Sequence, residues 1–161
     1  DENKDPSLNY VGDAFEFFVE LMFEVLGPIR EWGGIHEYEP QQENDNGVDA
    51  LCKNWDGEPS VVQIKYKRDS ERVLTGNQDH LGNMVKEATL KYRIIPHDQD
   101  KKETTKYFIV TTGKSLHYYT EDEFFLNNVK CIGWDDLCDM LDKNIGFWKK
   151  AEDIVRSLVK N

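Results

Sequence analysis

A carboxylate, an amide and an ammonium sit close enough in this chain to do hydrolytic chemistry together. Asp49 closes the run Asp45-Asn46-Gly47-Val48-Asp49, and Gln63 and Lys65 lie in Val61-Val62-Gln63-Ile64-Lys65. Side chains alternate along a strand, so Gln63 and Lys65 share a face, and an antiparallel neighbour can set Asp49 beside them. Phosphodiester hydrolysis needs a cation held by oxygen ligands, stabilisation of charge on the phosphate, and an aimed water. Asp49 can ligate a hard divalent cation, and Mg2+ takes only one or two carboxylates while keeping several waters. The Gln63 amide oxygen is a neutral ligand or a water-positioning group, never a carboxylate base. The Ile64 backbone carbonyl is a further ligand. Lys65 can orient the attacking water or bind the phosphate as a point charge.

A second acid would tighten such a site, and the first helix offers Glu16, Glu20 and Glu24. At about 100° per residue, Glu16 falls at the edge of the apolar stripe, Glu24 nearly opposite it, and Glu20 between. Glu16 is therefore the fourth candidate, Glu20 the second choice, and Glu24 a solvated acid. Each residue alone has a plainer meaning, because Gln-x-Lys in a strand is usually a wet face and a helix glutamate usually a surface charge. What raises the combination above its members is the apolar setting. Val61, Val62 and Ile64 flank the Gln-Lys pair, Val48, Ala50 and Leu51 flank Asp49, and a charge inside a buried strand needs a partner or a metal.

Elements that position these groups follow from periodicity. Phe15, Phe18, Val19, Met22, Phe23 and Leu26 form one stripe and predict a helix over 8–26, stopped by Gly27-Pro28. A short strand is expected around 35–38, then strands over 48–53 and 61–67, joined through Asp56-Gly57, a hairpin turn signal. A helix over 77–93 turns Leu81, Met84, Val85 and Ala88 inward, and Tyr107 to Thr112 reads as a buried strand. A short helix near 119–126, a strand over 129–132 and closing helices over 134–141 and 147–159 complete the order, with Trp134 and Trp148 as core anchors. This describes an α/β fold with a mixed central sheet flanked by helices on both faces.

Composition bounds the rest. A length of 161 residues with 39% hydrophobic content suits one packed domain, and no segment is long and apolar enough for a bilayer. Three cysteines, Cys52, Cys131 and Cys138, form no CxxC pair, so we expect small buried side chains rather than disulfides or zinc. The expected setting is cytoplasmic, intracellular and soluble, with no membrane partner. A net charge of −11 opposes tight sequence-independent DNA binding, which depends on neutralising phosphates. Together with the missing initiator Met, it suggests one nuclease domain over 1–161 cut from a longer protein, such as one with a helicase or translocase. Its further domains would deliver the nucleic acid.

These residues resemble the PD-(D/E)XK nuclease superfamily, and within it the Mrr-like restriction endonuclease group. Gly12, Phe15 and Glu16 match the group's first-helix element, Asp45, Gly47 and Asp49 its Asp-x-Gly-x-Asp element, and Gln63 and Lys65 its Gln-x-Lys element. Tyr107 to Gly113 looks like its later apolar strand ending in threonine, and Val129 to Leu141 like its final strand and helix. The resemblance spans most of 10–142, with specificity carried by the three motifs. It implies a restriction-endonuclease-like fold, Mg2+ dependence with Mn2+ as substitute, and endonucleolytic cleavage of DNA. Glu16 and Asp49 would be acidic metal-site residues, Gln63 would replace the commoner acid, and Lys65 would be the catalytic lysine. The proline of the superfamily's name is absent before Asp49.

Lys67, Arg68 and Arg72 form the most basic local stretch and are candidates for phosphate contact, as are Gln78 and Lys114. His80 is a weaker candidate base, while His36, His97 and His117 lack metal-ligand spacing. Two other readings stand beside the endonuclease: a catalytically inactive nuclease-fold module that binds DNA or a protein partner, and a domain that processes RNA or nucleic-acid junctions. A homodimer is open on this sequence.

Overall fold

The computed structural model describes residues 6–42, 47–74, 81–97, 105–114 and 127–160, with side chains from Tyr10 onward. The sequence readings on Asp45, Gln78, His80, His117 and the short helix near 119–126 lie outside the described residues.

Helix α1 spans Pro6–Leu26. Its stripe of Phe15, Val19, Met22 and Phe23 is buried, and it ends where Gly27 takes φ 67 and donates its N–H to the Phe23 carbonyl at 3.1 Å. Strands β1 (His36–Pro40), β2 (Ala50–Lys53) and β3 (Pro59–Lys65) follow, then helix α2 (Gly82–Tyr92). Strands β4 (Tyr107–Thr111) and β5 (Val129–Ile132) and helices α3 (Trp134–Lys143) and α4 (Phe147–Val159) complete the chain. The five strands lie in chain order, with β1, β2 and β3 antiparallel and β4 and β5 added parallel to β3. This is an α/β domain with a mixed sheet and, among the described residues, four α-helices. None of those helices is long and apolar enough to cross a membrane.

Two core layers sandwich the sheet. Val62, Ile64, Phe108 and Val110 pack with α1, Leu137 of α3 and Phe147 of α4. Val61, Tyr107, Ile109 and Cys131 pack on the other face with Leu81, just before α2, and with Met84 and Ala88 of α2. Burial on both faces explains why β3 and β4 read as near-continuous apolar runs rather than alternating ones.

The β2–β3 hairpin is organised by a buried asparagine. Asn54 Oδ1 accepts the N–H of Asp56 at 3.1 Å and of Glu58 at 2.9 Å, while its amide donates to the Thr105 carbonyl at 3.1 Å. One side chain thus closes the turn and ties it to the entry of β4. Gly57 supplies the positive φ, 77, that the turn demands.

The periodicity placed the other elements within a few residues, but the two tryptophans are a correction. Trp134 is 42% exposed and Trp148 61%. Leu137, Phe147 and Ala151 anchor the closing helices instead, and both indoles lie on the solvent-facing sides of their first turns. Cys52 and Cys131 are buried thiols and Cys138 is half-buried; none is in a disulfide.

Candidate metal and phosphate site

Asp49 lies just before β2, where strand pairing is irregular. Ala50 pairs with Val62, yet the Asp49 N–H also goes to the Val62 carbonyl, at 2.9 Å. Two residues of one strand thus oppose one of the other, which is a bulge, and bulges re-aim side chains. The Asp49 carboxylate takes up the place a strand carbonyl would fill: its Oδ2 accepts the Ile64 N–H at 2.6 Å. In a strand the carbonyl of a residue points toward the same neighbour as its N–H, so the Ile64 carbonyl is directed to this edge as well.

The segment leading into the bulge needs Gly47. Its φ is 134, and a Cβ there would sit 2.6 Å from the Met84 nitrogen and 2.7 Å from the Asn83 carbonyl carbon. Only glycine lets the chain pass under the start of α2 and rise to Asp49. The glycine of Asp-x-Gly-x-Asp is therefore a packing requirement, whatever the acids do.

Glu16 approaches from α1. Its carboxyl is pushed up to about 7, first by burial, then by the negative charges of Asp49 and Asp13. One flank of Glu16 stays open to solvent, so burial acts on the side facing the sheet. Coupling to Asp49 shows that helix and bulge bring two carboxylates into one neighbourhood, where like charges disfavour joint ionisation. Glu20 is half-buried and Glu24 is exposed.

Gln63 and Lys65 follow strand alternation. Val62 and Ile64 belong to the layer containing α1, so Gln63 and Lys65 stand on the α2 side. The bulge turns Asp49 away from a simple shared face with them. Glu16 comes from one side of the sheet and Gln63 and Lys65 from the other, and the backbone of Ile64, held by Asp49, lies between. Gln63 is 2% exposed, and its Oε1 has no hydrogen-bond partner among the described residues. A buried amide oxygen without a donor costs about 1–3 kcal/mol and invites an explanation such as a cation.

The carboxyl end of β3 is clasped by β4. Thr111 Oγ1 donates to the Lys65 carbonyl at 2.7 Å, and Thr112 Oγ1 both donates to the Lys67 carbonyl at 2.8 Å and accepts the Lys67 N–H at 2.6 Å. This fixes the backbone that carries Lys65 and starts the basic stretch. Arg68 and Arg72 are exposed there, and Lys67 is half-buried. Lys114 lies beside Arg72, its N–H donating to the Arg72 carbonyl at 3.0 Å, and its ammonium pairs with Glu71.

Tyr38 was not singled out in the sequence. Register in β1 shifts between His36 and Glu39, with Glu37 at φ 48, and the ring of Tyr38 stacks on Phe23 at 5.3 Å. Burial raises its hydroxyl above the usual tyrosine range, and Asp49, Cys52, Glu16 and Glu20 add to the rise. The phenol thus lies within the electrostatic reach of Asp49, Glu16 and Glu20, which favours its neutral form. No periodicity signals it, because the irregularity in its own strand, between His36 and Glu39, aims it.

As oxygen donors, Glu16, Asp49, Gln63 and the Ile64 carbonyl suit a hard divalent cation that keeps much of its water. The described residues contain no cluster of three or more His, Cys, Asp and Glu side chains arranged for a metal. An amide and a backbone carbonyl fall outside that set, so two carboxylates supplemented by neutral oxygens are compatible with it. His36 and His97 serve structure: the first bonds through Nδ1 to the Gly34 carbonyl at 2.8 Å, the second lies 3.3 Å from Glu58. No family model, no curated protein and no solved structure matches this chain.

Proposed function

We propose that this chain is a Mg2+-dependent endonuclease domain of restriction-endonuclease-like fold that hydrolyses DNA phosphodiester bonds. The observation that carries the reading is the edge of β3. There Asp49 is fixed on the Ile64 N–H, Glu16 is raised by its charge, and the adjacent Gln63 buries an amide oxygen that has no donor among the described residues. A buried stability element would satisfy such groups, whereas this arrangement leaves acids repelling and an acceptor idle, a common condition of functional sites.

Asp49 and the Ile64 carbonyl would hold the cation at the edge of β3, with Glu16 supplying an acid from the α1 side and Gln63 Oε1 a neutral oxygen from the opposite, α2 side. When bound, Mg2+ or Mn2+ would supply Lewis-acid stabilisation of the phosphate and a lowered pKa for water. Lys65 places a point charge at the phosphate or orients the attacking water, and the Thr111–Thr112 clasp keeps its backbone still. Hydrolysis forms a bond from water oxygen to phosphorus and breaks the bond to the 3′ oxygen, leaving a 5′-phosphate end. Lys67, Arg68, Arg72 and Lys114 would steady the backbone of the substrate. Given a net charge of −11, further domains of the same protein would bring the DNA, and a homodimer would be one way to cut both strands.

The acidic balance also favours a second reading, an inactive module of the same fold that binds DNA or a protein. Plasmid and single-stranded DNA incubated with Mg2+, with Mn2+ or with chelator separate the two. We expect metal-dependent cleavage, lost by roughly 10²-fold or more in Asp49→Ala and in Lys65→Ala with the fold retained. Gln63→Glu should hold or raise metal affinity in calorimetry. A Lys65→Ala protein that cuts at the wild-type rate would remove the assigned chemistry.

A further inference from the structure

The parallel half of the sheet opens into a cleft of about 710 Å³ that the hydrolytic reading leaves unused. It runs along the edge strand β5 and the length of α3, from Trp32 and Lys143 at one end to Gly113 and Gly133 at the other, and that second end meets the carboxyl ends of β4 and β5, where open α/β sheets place their ligands. Gly113 and Gly133 form its floor, and the Trp134 N–H joins them by donating to the Gly113 carbonyl at 3.0 Å. Its size falls within the range of about 300–1,000 Å³ typical of small-molecule sites.

Three observations define what the cleft would accept. The Trp134 indole lines it and is 42% exposed, a flat apolar surface offered to solvent at the start of α3. Carboxylates line it too, but they are not equivalent. Asp136 is engaged by the Gly133 N–H at 2.9 Å and Asp139 by Lys143 at 3.1 Å, whereas Glu31 and Asp135 are exposed, Asp135 on the first turn of α3 next to the indole. Lys130 supplies positive charge on the strand side, while the Lys114 ammonium is held by Glu71. A planar ring with amino donors on its edge and a phosphate attached matches all three: stacking on the indole, donation to a carboxylate that can only accept, and an ammonium for the phosphate.

We propose that this cleft takes one unstacked, amino-bearing nucleobase of a single strand, stacked on Trp134 with its edge toward Asp135. The placement rests on the nuclease reading, because Thr111, Thr112 and Gly113 run from the clasp on Lys65 and Lys67 directly to the cleft floor. A strand bound there would be led along the basic stretch toward β3. Adenine and cytosine carry an exocyclic amino group and thymine does not, so the cleft discriminates among bases as well as between single and double strands, since a duplex hides its base faces.

The test is fluorescence anisotropy of the full chain with labelled oligonucleotides of about ten residues, within the span that one small domain covers. Oligo-dA, oligo-dC, oligo-dT and a hairpin duplex are compared in chelator, which removes cleavage. Oligo-dA and oligo-dC should bind more tightly than oligo-dT and the duplex. Trp134→Ala should weaken oligo-dA binding by about 10-fold, and Trp134→Phe should recover most of it. Asp135→Asn should erase the preference over oligo-dT. Unchanged affinity in Trp134→Ala, with an unchanged melting temperature, overturns the proposal, and so does a duplex bound as tightly as the single strands. Failure of the nuclease reading looks different: wild-type protein leaves DNA intact with Mg2+ while Trp134-dependent binding persists.

Discussion

The two halves of the sheet are built to different standards. From β3 through β5 the strands are parallel, in unbroken register and buried on both faces. From β1 to β3 they are antiparallel, β1 shifts register, and the start of β2 bulges at Asp49. The chemistry-bearing groups gather on the irregular half and at its seam with the regular one. Regular pairing presents side chains on two fixed faces, so it cannot bring a strand residue and a flanking-helix acid to a point at the strand edge. A bulge can, at a cost in local backbone preference. The regular half contributes stiffness, through the threonines that grip the end of β3.

Substitutions in each half test that division. The largest stability effect should come from Gly47→Ala on the irregular side. Positive φ and a Cβ within 3 Å of α2 backbone should lower unfolding free energy by roughly 1–3 kcal/mol or more, read as a drop in urea midpoint, and should unseat Asp49. A midpoint equal to wild type would mean that the bulge does not depend on that passage. Thr112→Val on the regular side keeps the shape and removes two hydrogen bonds to Lys67, for an expected loss of about 1–2 kcal/mol. If Thr112→Val abolishes cleavage as thoroughly as Asp49→Ala does, the clasp is part of the chemistry and the division fails.

The smallest effect belongs to Glu16→Gln. The folded Glu16 carboxyl sits near 7 against an ordinary value of 4.5, so the folded state holds the proton more tightly. Stability from this group is full below the ordinary value and is lost as pH rises toward 7. Glu16→Gln should therefore match wild type near pH 4 and melt at a slightly higher temperature at pH 8. The difference should stay below about 1 kcal/mol, because the open flank of Glu16 is screened by water. A variant that melts lower at pH 8 would show that Glu16 is paired rather than repelled.

Much of the scaffold was legible in the residues alone. Stripes at helical spacing located α1, α2 and α4, and Asp56-Gly57 located the hairpin, because these signals are local. The Gln63–Lys65 pair and Asp49 were legible as candidates through their apolar neighbours. What escaped depends on groups remote in sequence. The bulge that turns Asp49 toward Glu16 depends on how α2 packs over Gly47, and Tyr38 joins the acids through a register shift in another strand. The threonine clasp was visible only as the end of an apolar run, with no sign that it reached Lys65. Trp134 and Trp148 misled because aromatic size predicts burial on average, whereas the face of the helix decides it here: Phe147 turns inward and its neighbour Trp148 outward.

Helix α1 is also braced from the far end of the sequence. Phe18, two residues from Glu16, meets Phe147 at 5.8 Å and Trp148 at 5.9 Å, and Trp148 keeps most of its surface open. These rings fasten the first helix to the last, so the seat of the helix acid depends on packing supplied from the far end of the sequence.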